Sequence, residues 1–325
     1  MVRSTWLIVF LFLAVFSGCQ KTHTQKAQSS YNVLQSLPEK DVKVLDSFFQ
    51  LLCREYDFAY TLFGKKPMSM VYYSSNLTSW SVYHPIEFLT LEKGWELWED
   101  YSIFFTSDEF VLKKCKDKNT SAVFLINKRQ ALKTISEHLI KFEGILNQKI
   151  KPHEFLKQLC NSEQDIMKLL NDNSELLGIL LGYGKVNAML FERKANICKH
   201  LNAKMTPPFT SQRDIEKLHP SGQNFVELYR GKESKFDLAI LSPLTKHDSL
   251  ADEMNDIISH EEIFELYGSD FFLDRFISPV FMMRKEDPET QELQASYFAT
   301  KLKLRQLYQQ ESFLEITLNQ WMCPQ

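Results

Sequence analysis

The chain has 325 residues, 44% of them hydrophobic and 24% charged, which is ordinary for a globular protein and enough for one large or two medium domains. A net charge of −3 leaves no electrostatic footprint for nucleic acid and no long-range pull towards anionic lipid. With 25 Phe and only 10 Gly, helices are expected to outweigh the tight turns of a sandwich or barrel.

At the N-terminus Arg3 precedes an unbroken apolar run, Trp6 to Phe16, followed by the small residues Ser17 and Gly18 and then Cys19. A positive start, an apolar middle and a small-residue exit form the layout of a secretory signal. The run is shorter than the roughly 20 residues that span a bilayer. Phe16-Ser17-Gly18-Cys19 resembles the lipobox of bacterial lipoproteins. The resemblance implies that residues 1–18 are removed, that Cys19 carries acyl chains, and that the membrane is a partner through that lipid. Gln20, in place of the Asp linked to inner-membrane retention, implies the outer membrane in a cell with two. A signal cut at Ala14 or Gly18 that leaves Cys19 an ordinary thiol is one alternative, and an uncleaved anchor is another. Gln20 to Ser30 is polar and without apolar periodicity, so residues 19–35 read as a lipidated Cys and a flexible tether. Loss of Arg3 with the leader would take the net charge from −3 to −4.

The body, 36–325, opens with an amphipathic helix over 36–63. Ser36 and Glu39 match a capping box, and Leu45, Phe48, Phe49, Leu52, Tyr56 and Tyr60 recur at helical steps up to Gly64. Met68 to Tyr73 predicts a strand, and Phe88, Leu91, Trp95 and Trp98 mark a helix. Ser102 to Phe105, Phe110 to Lys114 and Ala122 to Ile126 predict strands, the last two as a hairpin. Asn127 caps a helical stripe through Ile135, Phe142 and Leu146, Pro152 and Ser162 start short helices, and Ser174 starts a long helix towards Lys194. Leu176 to Leu181 is apolar all round, which predicts burial on every side. Pro207, Pro208, Pro220 and Gly222 make 200–222 irregular and the place where the body would divide. Strands at 225–229 and 236–241, a helix at 249–266 and a strand at 279–284 follow. Asp287-Pro288 then opens a long helix to about Gln310, and Ser312 begins a last segment. The expected fold class is α+β: helix-rich, with small antiparallel sheet pieces and a long C-terminal helix.

Gly178 to Lys185 looks like a phosphate loop, but five residues, not four, precede Gly184-Lys185, and Val186 stands where Ser or Thr is needed. Gly178 and Gly182 are expected instead to let a neighbouring helix approach closely. Asp252, Asp256 and His260 fall at four-residue steps and are weak candidate metal ligands, because a second His is missing and a solvated helix face is the simpler account of them. Cys198 and His200 are too close in sequence to form a dyad within one element. Trp80, Trp95 and Trp98 lie in an aromatic stretch that suits a binding groove, while the spacing of Trp95 and Trp98 also suits a core. Among six cysteines no Cys-x-x-Cys spacing occurs; an exported chain could form one or two bridges. No cofactor motif and no enzyme signature is found. The expectation is a lipid-anchored envelope protein that binds or scaffolds a partner. The alternatives are an exported hydrolase of cell-wall or host polymers, or a carrier of small apolar ligands.

Overall fold

The computed structural model describes residues 32–74, 85–116, 120–161, 164–204, 253, 262–264, 279, 281–308 and 312–324. The organising element is strand β3, Thr120–Asn127. Val123 and Leu125 point to one face and Ala122, Phe124 and Ile126 to the other, so both faces are apolar. A strand of that kind must be covered on both sides. It takes the central place in a three-stranded antiparallel sheet, flanked by β1, Met68–Ser74, and β2, Phe110–Lys116. The predicted hairpin is therefore present, with Phe110 opposite Asn127 and Lys116 opposite Ser121.

Helices cover each face. On the Val123 side lie α1, Glu39–Gln50, α2, Phe58–Phe63, and α3, Pro85–Tyr101. On the Phe124 side lie α4, Lys128–Glu137, α5, Leu139–Leu146, α6, Pro152–Cys160, α7, Ile166–Leu169, and α8, Ser174–Leu180, with the start of α9, Lys185–Lys204. Asn127 caps α4 as expected, its side chain accepting from Gln130 N at 3.0 Å. A second pairing, β4, Glu262–Phe264, with β5, Phe281–Met283, is antiparallel. The chain then adds α10, Pro288–Leu307, capped by Asp287, and α11, Phe313–Met322, both on the Val123 side. The result is a helix-rich α+β fold of helices, sheet and helices.

Several sequence expectations are corrected. The 36–63 helix is two helices. A π-helical turn, Leu51–Glu55, ends α1, and Tyr56 is extended before α2 begins. Two bonds hold the break open: Tyr56 Oη donates to Glu87 at 3.3 Å, and Asp57 pairs with Lys66 at 3.2 Å. The capping box does not form; Pro38 precedes the helix and Ser36 Oγ donates to Val33 O. Gly64 is extended, and is required because a Cβ there would stand 2.7 Å from Thr300 Oγ1 of α10. Ser102–Phe104 is a 3₁₀ turn, not a strand. The long helix from Ser174 is a helical hairpin, α8 and α9, reversed by Gly182 and Gly184 at φ +74° and +84°. Residues 262–264 are strand where helix was expected. Helix α9 runs to Lys204, and 205–222, where the body was expected to divide, lies outside the described residues together with the strands expected at 225–241.

Candidate functional site

The residues singled out from sequence do not converge. Cys19, Trp80, Asp252, Asp256 and His260 lie outside the described residues. Among those described, no three His, Cys, Asp or Glu side chains gather as a metal ion would need. Glu253 pairs with Arg193 of α9 through two bonds of 2.6 Å. Trp95 and Trp98 are buried in the core. Trp98 meets Phe49 and Trp321 edge-on at 5.2 and 5.3 Å and stacks on Phe105 at 6.2 Å. Among the described residues the thiols of Cys53, Cys115 and Cys160 are free, and burial pushes the Cys53 pKa up to about 12.

The glycines of the 178–185 stretch are explained by packing. A Cβ on Gly178 would lie 2.9 Å from that of Ala188, so α8 and α9 touch there as expected. Gly182 has a different task, because its backbone faces a side chain and not a helix. Tyr297 of α10 donates to Gly182 O at 2.6 Å. A small void in the core, about 10 Å³, is lined by Phe49, Leu52, Phe58, Leu112, Leu125 and Trp321. It has room for about one water and none for an apolar ligand.

The groups with unusual surroundings are three lysines that no motif marks. Lys66 is fully buried. Its Nζ donates to Met68 O at 2.5 Å and reaches Ser69 Oγ at 3.4 Å, and it pairs with Asp57. Burial lowers its pKa and the Asp57 carboxylate restores part of the fall. The same burial raises the pKa of Tyr183, whose ring centre lies 5.6 Å from Nζ. Lysine, serine and carboxylate are the ingredients of a nucleophile with its base. Ser69 Oγ, however, already donates to Asp57 O at 3.1 Å and shares a 2.7 Å bond with Thr61, all below the surface. The cluster therefore cross-links the start of α2 to β1, a structural task.

Lys113 and Lys114 are adjacent on β2 and so face opposite sides of the sheet. Lys113 Nζ donates to Leu159 O, Asn161 O and Gln164 O at 3.3, 2.5 and 2.6 Å, which uses all three of its protons to close the end of α6. Lys114 Nζ, its side chain 2% exposed, lies 2.7 Å from Glu92 Oε1, which also accepts from Tyr73 Oη at 2.8 Å. Burial alone would raise the Glu92 carboxyl, but the bonds from Lys114 and Tyr73 outweigh it and hold it below the usual 4.5. A depressed carboxyl contributes stability above its unfolded value and loses it as pH falls through the folded one. Glu92→Gln is therefore expected to lower stability by about 1.5 kcal/mol at neutral pH. The gap from the parent should close as pH falls below the ordinary glutamate value of 4.5 and through the lowered value of Glu92. Urea titrations at neutral and acid pH test this; a gap that does not change with pH would refute it.

The fold and these clusters define, among the described residues, a packed helix–sheet–helix body in which Lys66, Lys113 and Lys114 are bonded within the chain. Comparison with protein-family models, with curated proteins and with solved structures gives no match for this chain.

Proposed function

We propose that the protein is a lipid-anchored component of the cell envelope that holds a partner and does no chemistry of its own. The observation that carries this reading is the run from Arg3 through the apolar segment to Cys19. One acyl chain binds a bilayer only reversibly, while two or more make attachment stable, each buried CH₂ contributing about 0.8 kcal/mol. The polar residues 20–30 then leave slack between the anchor and the folded body. The reading is supported further by the way Lys66, Ser69, Lys113 and Lys114 are engaged by internal partners. Groups so engaged stabilise a fold and are not poised to meet a substrate.

Intact mass spectrometry of the chain from membranes should show an N-terminus at Cys19 bearing acyl chains. A Cys19→Ser chain should leave the detergent-extractable membrane fraction. A chain that keeps its first eighteen residues, or a Cys19→Ser chain that fractionates as the parent does, would overturn the anchor. Affinity capture from detergent-solubilised envelopes should retain an envelope component, and capture of none would remove the partner-holding role.

A further inference from the structure

Ile103 and Phe104 are 73% and 55% exposed, two large apolar side chains side by side in the 3₁₀ turn that follows α3. Their turn is firmly seated. Tyr101 Oη donates to Asp41 Oδ2 at 2.8 Å, Phe105 N to Ser102 O at 3.0 Å, and Trp321 Nε1 to Phe105 O at 2.7 Å. Phe105 itself is buried. An apolar pair held out on a rigid turn gains nothing for folding and loses little entropy on entering another phase.

The bond to Asp41 also fixes the turn's position. Asp41 stands in the first turn of α1, nine residues after Asn32, where the described chain begins. The turn therefore lies at the end of the body from which the chain leads back to Cys19. Thirteen peptide steps separate Cys19 from Asn32. At about 3.5 Å per residue they span at most about 45 Å. The acyl chains thus keep this end of the body within about 45 Å of the bilayer, near enough for the turn to reach it.

We infer that Ile103 and Phe104 form a membrane-contacting tip that dips into the interfacial layer of the bilayer holding the Cys19 lipid. The inference rests on the anchored reading above. Glu99, Asp100 and Asp108 are exposed around the tip. Their charge, only partly offset by Lys128, whose Nζ donates to Asp108 O at 2.9 Å, favours a leaflet of zwitterionic headgroups over an anionic one. Phe298 and Leu302 on α10 are exposed as well, but no contact among the described residues ties them to the stretch leading to Cys19.

The test uses the full chain purified from membranes and reconstituted into phosphatidylcholine vesicles. These contain a lipid with a carbene precursor near the top of one acyl chain. After illumination, peptide mass spectrometry is expected to place lipid adducts on Ile103 or Phe104. Adducts there should fall at least fivefold in an Ile103→Ser, Phe104→Ser double variant whose circular dichroism matches the parent's. They should fall at least twofold when phosphatidylglycerol replaces phosphatidylcholine. An acylated chain without adducts at the turn, or with a protein cross-link there instead, overturns the tip and leaves the anchor standing. A chain whose intact mass lacks acyl groups overturns both. Equal labelling in the two lipids overturns the headgroup assignment.

Discussion

Trp321→Ala is expected to reduce the free energy of unfolding by about 4 kcal/mol. Trp321 is where α11 closes over the sheet. Its indole stacks on Phe110 of β2 at 5.8 Å and meets Trp98 of α3 edge-on, while Nε1 donates to Phe105 O. Truncation removes those contacts and enlarges the void that Trp321 already borders with Leu112 and Leu125. It also strands a buried carbonyl, which contributes roughly 1–3 kcal/mol of the loss. Against a total stability of about 5–15 kcal/mol, this is a large fraction. Because Phe105 follows directly on the exposed Ile103–Phe104 pair, amide exchange at 102–106 should accelerate before the sheet opens. Urea titration followed by circular dichroism measures the first effect and hydrogen exchange the second. A loss below about 1.5 kcal/mol would mean that α11 is not the lid on this core.

Much of this fold is written in the spacing of its apolar residues. Phe88, Leu91, Trp95 and Trp98 follow one stripe and become one helix, and Asp287-Pro288 starts α10 where a cap and a first-turn proline should. Where the spacing misled, burial on every side had erased the phase. All six residues of α2 are buried, so the stripe runs through the break at Tyr56 with no polar face to betray it. The Leu176–Leu181 run hides the reversal after α8 in the same way, although Gly182 and Gly184 were legible as turn formers. Ser102 to Phe105 has strand-like composition, but Ile103 and Phe104 both point out and Phe105 points in, which is no alternation.

The buried lysines were missed for another reason. On a strand, neighbouring side chains face opposite sides, so Lys113-Lys114 could be wholly solvated only off the sheet. The unbroken apolar run 122–126 in the paired strand already implied two covered faces. Together those facts place both lysines inside, each in need of a partner, which Glu92 and the carbonyls at the end of α6 supply. What no spacing could reveal is which distant groups those partners would be, since the contacts join residues 22 and 48 positions apart.

The same substitution at two glycines should give opposite signs, because only one of them faces a neighbour. Within a helix, Gly→Ala ordinarily stabilises by up to about 1 kcal/mol through helix propensity and a less flexible unfolded chain. Gly144, in α5, has no atom within 4 Å of where its Cβ would lie, so Gly144→Ala should follow that rule. Gly94, in α3, is where that helix crosses α1. A Cβ there would stand 2.4 Å from both Cβ and Cγ of Phe48, a side chain that is fully buried and packed edge-on against Phe49. Phe48 Cβ is fixed to its backbone and cannot swing aside, so the two helices must part by more than an ångström to reach ordinary contact. That shift unseats Phe49 from Trp98 and opens the core along its length. Overpacking of this kind costs about 1–3 kcal/mol, and the rigidity of the contact puts Gly94→Ala at the upper end even after the propensity gain. Paired urea titrations of the two variants decide the matter. A stabilised Gly94→Ala would mean that α1 and α3 do not cross at Phe48, and the packing on the Val123 face of the sheet would have to be redrawn.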